Sequence, residues 1–307
     1  VYTLCGLDPY KCLPIMLDVG TDNQELLNHP MYLGWRHPRI KGAEYDHFME
    51  KFVSVVHKKF PHAFLHWEDF GRDNARRILD KYRDFHPSFN DDMQGTGVVT
   101  MAAMLSAMKA TKIPFSQQKL VIFGAGTAGV GIADQFCDAL VRNGLSRDEA
   151  LKHVWLIDRY GLITEDSKGL TSFQKPYARK REEFSHWPSG QYDLACVIAQ
   201  VKPSILVGCS TVYGAFKEEI IREMARHVTH PVIFPLSNPT DNSEAHPLDL
   251  LHWTEGKALI ATGSPCETLV FQHKTIRIAQ CNNALSFPGI GLGMVASKAK
   301  KLTDNML

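Results

Sequence analysis

The run Gly124-Ala125-Gly126-Thr127-Ala128-Gly129 constrains this chain more than any other feature, because it stands between an apolar stretch, LVIF at 120–123, and an amphipathic segment over 128–142. Glycines in the pattern G-x-G-x-x-G let a strand turn sharply into a helix. They also let the backbone approach a pyrophosphate, whose charge then faces the helix N–H groups and dipole. In that reading Gly124, Gly126, Thr127, Ala128 and Gly129 form the phosphate turn. A tight strand-helix turn without a ligand is the plainer alternative. Further strands read at 154–158, 205–208, 232–236 and 259–262, with helical patterns between them. Such alternation predicts an α/β chain with a doubly wound parallel sheet, Rossmann-like, covered on both faces.

Asp158 ends the strand after the glycine turn and is the natural acceptor for a ribose hydroxyl. Its distance from Gly129 exceeds the usual spacing because a short helix intervenes, with Ser146 and Glu149 as its capping box and Gly144 as the stop of the helix before it. Arg159 offers a cation for a 2′-phosphate, but the carboxylate beside it repels that group, so NAD is expected over NADP. Three more strand ends carry small polar residues: Gly208-Cys209-Ser210, Ser237-Asn238-Pro239-Thr240 and Gly263-Ser264-Pro265. Singly each reads as a turn; together they lie where open parallel sheets bind ligands.

A second cluster is acidic. Glu68-Asp69 follows the strand pattern AFLHW, and Asp91-Asp92 follows Phe89-Asn90, with one helix between, marked by Ala75, Ile78, Leu79 and Tyr82. Hard divalent cations prefer such oxygen ligands. Helix capping by Asp69, Asp73 or Asp92 is the competing account. No HExxH or paired histidine spacing points to zinc, and His66 reads as a strand residue with an ordinary partner.

Around these motifs, 1–89 reads as one block. It includes a helix over 44–59 with Phe48, Phe52, Val55 and Val56 as its apolar stripe. From about 93 the pattern changes to alternating strands and helices. A small-residue helix over 95–110 is apolar nearly all round and therefore expected to be buried. Residues 172–192 read as an irregular surface loop, and Arg179-Lys180-Arg181 as a solvated run.

The 34 basic and 33 acidic residues leave a net charge of +1 with no basic stripe, so neither nucleic acid nor an anionic membrane is an expected partner. Seven scattered cysteines form no CxxC pair, which argues against a disulfide framework and for a reducing compartment, cytoplasmic or, in a eukaryote, the mitochondrial matrix. No apolar run is long enough to span a bilayer. The first residues lack an initiating Met and a signal-peptide pattern, and a longer parent chain is expected.

Eight segments carry a resemblance: LPIMLDVGTDN (13–23), WEDFGRDNA (67–75), FNDDMQGTG (89–97), FGAGTAGVGIA (123–133), IDRYGL (157–162), PLSNPT (235–240), ATGSP (261–265) and QCNNALSFPGIGLG (280–293). In this order they resemble the malic enzyme family nearly from end to end. The resemblance implies a mostly helical metal and substrate domain over 1–89, to which 283–307 returns, and a dinucleotide domain over 90–282. The resemblance implies Glu68, Asp69 and Asp92 as ligands of Mn2+ or Mg2+, with Asp91 beside them as an acid or proton-transfer partner. It implies that Gly124, Gly126, Gly129 and Asp158 hold the dinucleotide, and that Asn238 and Asn283 bond the substrate carboxylate or the nicotinamide ribose. Gln174 falls where NADP-preferring animal members tend to have Lys, which again favours NAD. Asp8 stands where animal members have an anion-binding Arg, so activation of that kind is not expected.

The implied reaction oxidises the 2-hydroxyl of malate, loses CO2 and returns a proton to C3, giving pyruvate. The family's Tyr acid, substrate-gripping Arg and Lys base lie upstream of the segment matching Val1. Two alternatives stay open: a malolactic enzyme, which resembles this family closely and releases lactate, and a nucleotide-binding fragment without activity. Family members are usually homo-oligomers, so a dimer or tetramer is expected.

Overall fold

The computed structural model describes residues 1–307 apart from Ser189 and Gln191, and the side chains of Arg72 and Asp73 also lie outside the described set. The chain divides into two compact units: Val1–Leu65 with Asp80–Phe89 and Pro288–Met306, and His66–Leu79 with Asn90–Phe287. Among the described residues no helix is long and apolar enough to cross a membrane.

In the first unit, helix α1 (Gln24–Asn28) is capped by Asn23, whose side chain accepts from the N–H groups of Glu25 and Leu26. Helix α2 (Gly42–Lys59) buries Tyr45, Met49, Val53 and Val56. Its buried stripe is therefore rotated from the expected one: Phe48 and Phe52 flank it half-buried and Val55 is 51% exposed. Positions 45, 49, 53 and 56 follow one line at helical spacing. The apolar Phe48–Val55 line is almost as regular, and only packing chose between them.

Strands β1 (Leu65–Trp67) and β2 (Ser88–Asn90) pair and flank helix α3 (Arg72–Tyr82), whose Ala75, Ile78, Leu79 and Tyr82 are buried as expected. A π-helical turn over Asp91–Gly95 leads into helix α4 (Thr96–Thr111). Strand β3 (Leu120–Phe123), helix α5 (Thr127–Arg142), helix α6 (Arg147–Lys152), strand β4 (Val154–Asp158) and strand β5 (Gly161–Leu162) follow. After helices α7 (Arg181–Phe184) and α8 (Leu194–Val201) come β6 (Ile205–Gly208), α9 (Glu218–His227), β7 (Val232–Pro235), α10 (Pro247–Trp253) and β8 (Leu259–Thr262). A hairpin of β9 (Leu269–Phe271) and β10 (Lys274–Ile276) precedes β11 (Ala279–Gln280).

The seven-stranded sheet has the order β11-β8-β7-β6-β3-β4-β5, and only β5 runs antiparallel to its neighbour. Chain order runs outward from β3 in one direction and from β6 in the other, so the topological switch lies between these two strands. Alternation along each strand sends Leu120, Ile122, Val154, Leu156, Ile205 and Val207 to one core, with Val130, Ile132, Phe136 and Leu140 of α5. Val121, Ile157, Leu206 and Ile233 point to the other, with Val197, Ile198, Ile221 and Met224. A strand apolar on both faces needs helices on both. The chain is thus an α/β protein with a mostly parallel, doubly covered sheet, as its strand-helix alternation predicts.

Three other expectations are corrected. The segment 172–192 is no plain surface loop, since Gln174, Tyr177, Arg179, Phe184 and Trp187 in it are all buried. Arg179 is not solvated: it donates to Glu183 at 2.8 Å, to the carbonyls of Leu151 and Val154, and lies 3.9 Å over the Trp155 ring. A guanidinium with five donors satisfies orphan helix-end and strand carbonyls that a solvated reading ignores. Helix α4 buries Met101, Met104 and Met108 but leaves Leu105 47% exposed, because the sheet and α5 cover one side only. The expected capping box at Ser146 and Glu149 is present, and Gly144 takes φ +101° just past the end of α5.

Candidate metal and dinucleotide site

The acidic pairs converge because each follows a strand of the same two-stranded sheet. Asp69 adopts φ +58°, a conformation costly for a side chain other than glycine, and its N–H donates to Asp92 Oδ2 at 3.1 Å. This backbone sets the Asp69 N–H on Asp92, and the two carboxyls lie in one cluster. On the other side, Asn90 caps the π-turn by accepting from the Met93 N–H at 3.0 Å. That frees Asp92 from the capping role weighed against metal binding; the Asp73 side chain, the other candidate cap, lies outside the described residues. Carboxylate oxygens of Glu68, Asp69 and Asp92 lie within 4.8 Å of one another, as do ligand atoms of His66, Glu68 and Asp91. His66 Nε2 sits 2.9 Å from Glu68 Oε2, so its ordinary partner belongs to the cluster itself.

Asp91 is 1% exposed, and no donor among the described residues reaches either of its oxygens. Burial first, then the neighbouring Glu68 carboxylate, pushes its pKa up to about 8. Burial and the charges of Glu68 and Asp69 raise Asp92 to about 6. Glu68 is held below the usual range, chiefly by its hydrogen bond from His66. Crowded carboxyls of this kind demand neutralisation, by a proton shared between Asp91 and Glu68 or by a cation. An all-oxygen trio beside an orphaned buried carboxyl fits a hard divalent ion.

The glycine turn is shaped by backbone contact. Gly124 has φ +112°, and a Cβ there would overlap the Cys209 carbonyl and approach the Ser210 nitrogen; one on Gly129 would overlap the Gly124 oxygen. Gly126, by contrast, faces open space, and no side chain caps α5. N–H groups of Thr127 and Ala128 at a helix start with no side-chain cap among the described residues, beside an open glycine, are what a pyrophosphate requires. Asp158 ends β4 half-buried and accepts from the Arg159 N–H at 2.8 Å; the exposed Arg159 side chain lies 5.2 Å from the Tyr160 ring centroid. Gln174 is 1% exposed and donates to the Ala125 carbonyl at 2.7 Å, which makes it a brace of the turn.

Beyond β7, Asn238 is exposed, and its Nδ2 would lie 3.3 Å from a Cβ on Gly263 at the end of β8. The Gly263 carbonyl in turn faces Gln280 and Asn282 side chains at 3.4 Å, one residue before the half-buried Asn283. The strand ends singled out in the sequence thus crowd along one edge. The turn that carries Asp92 also packs on the helix that follows the glycine turn: a Cβ on Gly131 of α5 would overlap the Met93 carbonyl, one residue past Asp92. Sequence reasoning passed over Glu244, a fully buried carboxyl at this edge; its only local signal was an acid placed shortly after the Ser-Asn-Pro-Thr strand end.

Residues 93–307 match the family model for the malic enzyme NAD-binding domain, and residues 1–83 match that for the malic enzyme N-terminal domain. NAD-dependent malic enzyme 3 of Bacillus subtilis is 52% identical over 311 aligned positions, covering 100% of this chain and 55% of the relative. A putative malate oxidoreductase [NAD] of Mycobacterium tuberculosis is 50% identical, covering 98% of this chain and 55% of its own. Among solved structures, the NAD-dependent malic enzyme of Thermotoga maritima is 28% identical with a TM-score of 0.65, over 88% of this chain and 62% of that one. The chain therefore spans about half the length of the curated relatives it matches.

Proposed function

The chain belongs to the malic enzyme family, and on that premise we propose that it carries the metal and dinucleotide half of an NAD-dependent, decarboxylating malate dehydrogenase. The overall reaction is malate plus NAD+ to pyruvate, CO2 and NADH. The observation that carries the reading is the convergence of Glu68, Asp69 and Asp92 around buried Asp91, in the same unit as the glycine turn.

Glu68, Asp69 and Asp92 would hold the cation, Mn2+ or Mg2+. When bound, that ion would supply Lewis acidity toward the oxygens of a hydroxy acid. Asp91, buried beside Glu68, would hold or release a proton there. Open N–H groups at the start of α5 receive the pyrophosphate, and Asp158 accepts the ribose hydroxyls. Its carboxylate disfavours a 2′-phosphate, which supports NAD over NADP. Asn238 and Asn283 hydrogen-bond the substrate carboxylate or the nicotinamide ribose.

Full-length protein given malate, NAD and Mn2+ tests this directly. NADH formed with an equal amount of pyruvate is expected, with NADP a poor substitute. Lactate without NADH would make the protein a malolactic enzyme, and no product would leave a binding protein.

Cation binding is also expected to depend on pH. A divalent ion must displace the protons that Asp91 and Asp92 retain near pH 8 and 6. Mn2+ affinity should therefore rise about tenfold per pH unit between pH 6 and 8, with proton release seen by calorimetry in buffers of different ionisation enthalpy. For metal-free stability the sign is opposite. Both pKa values are raised by folding, so their contribution is complete below pH 4 and is lost as pH rises through about 8. The metal-free protein should melt lower at pH 8.5 than at pH 6, with Mn2+ restoring the difference. A pH-independent Mn2+ affinity would contradict this account of the cluster.

A further inference from the structure

Glu244 has 0% exposure, yet it sits in an α/β edge otherwise built from small neutral groups. Its Oε1 accepts from the Ser210 N–H at 2.7 Å, the Ser210 hydroxyl at 2.7 Å and the Ser237 hydroxyl at 2.5 Å, while Oε2 accepts from the Ser237 N–H at 3.3 Å. The network extends one step further, since the Thr211 N–H donates to Ser237 Oγ at 2.9 Å and the Val212 N–H to Ser210 Oγ at 3.1 Å. Every donor to the carboxyl is neutral. Burying a carboxyl on such terms is costly, and an apolar residue would fill the space more cheaply. What an apolar residue cannot do is hold two loops by their hydroxyls and N–H groups at once.

Those loops are the ones that follow β6 and β7. Ser210 adjoins the backbone on which Gly124 rests, and Ser237 precedes Asn238. Gly208 has no room for a side chain because its Cβ would overlap the Glu244 carboxyl, so the end of β6 is cut to fit this one residue. We propose that Glu244 is a positioning residue for the dinucleotide, locking the ends of β6 and β7 so that the glycine turn and Asn238 keep one spacing. Fully buried itself, it acts through Ser210 and Ser237. This rests on the NAD reading above.

The test compares NAD and Mn2+ dissociation constants in full-length protein carrying Glu244→Gln, Glu244→Ala, or Ser210→Ala with Ser237→Ala. Glu244→Ala frees both loops and should weaken NAD about tenfold or more while Mn2+ affinity changes less than about twofold. Glu244→Gln keeps an oxygen for the three Oε1 donors and should restore most NAD affinity. The double serine variant, which keeps the buried carboxyl on its two N–H donors, should fall between them and serves if Glu244→Ala does not fold. Unchanged NAD affinity in the folded variants overturns the proposal, as does an equal fall in NAD and Mn2+ affinity, which marks a general packing role. Wild-type protein that binds Mn2+ but not NAD overturns the cofactor reading itself and this inference with it.

Discussion

Asp92→Asn is expected to weaken Mn2+ binding by ~100-fold or more and to abolish malate oxidation, while metal-free protein melts at or above the wild-type temperature. Losing a residue that merely orients a ligand costs ~10–100-fold in affinity, and a ligand carboxylate costs more. Stability moves the other way because Asp92 is one of several crowded carboxyls, pushed up to about 6 by burial and by Glu68 and Asp69. The amide removes that repulsion and keeps an oxygen for the Asp69 N–H, which Asp92→Ala would orphan at a cost of ~1–3 kcal/mol. Calorimetric or EPR titration with Mn2+, beside melting curves in chelator, separates the two effects. Mn2+ affinity within a few-fold of wild type would remove Asp92 from the ligand set.

Gly124→Ala and Gly126→Ala should differ sharply despite being two residues apart in one motif. At Gly124 the added methyl meets the Cys209 backbone while φ is +112°. Neither neighbour is a flexible side chain that could swing away, so the turn or the end of β6 must move. A cost of ~3 kcal/mol or more is expected, lowering the melting temperature by ~5 °C, with NAD binding lost. At Gly126 nothing lies within 4 Å of the new methyl. That variant should fold with a melting temperature close to wild type and still bind NAD more weakly, because the methyl occupies the space the pyrophosphate needs. Equal stability of the two variants would contradict the packing described for β3 and β6, and full NAD affinity in Gly126→Ala would move the phosphate site elsewhere.

Local physics made much of this protein legible from residues alone. A glycine turn after LVIF, a capping box at Ser146 and Glu149, and apolar runs of strand length each depend on neighbours a few positions away, so spacing exposes them. The β9–β10 hairpin escaped notice because its turn residues, Gln272 and His273, adopt positive φ without the Gly or Asn that usually signals such a turn. Glu68-Asp69 and Asp91-Asp92 could be read as four carboxyls near one space, but spacing alone could not separate ligand from helix cap. That needed the Asn90 cap and the strained Asp69 backbone.

Sequence by itself determined the class of fold, the glycine turn and the acidic pairs, since propensity, periodicity and turn sterics act within a few residues. Tertiary structure alone decided which stripe of α2 is buried, that Arg179 is interior, that Gln174 braces Ala125, and that Glu244 joins β6 to β7. In each case a polar or apolar group is satisfied by a partner distant in sequence. No local pattern records that partner, because desolvation is charged only once the chain has closed around it.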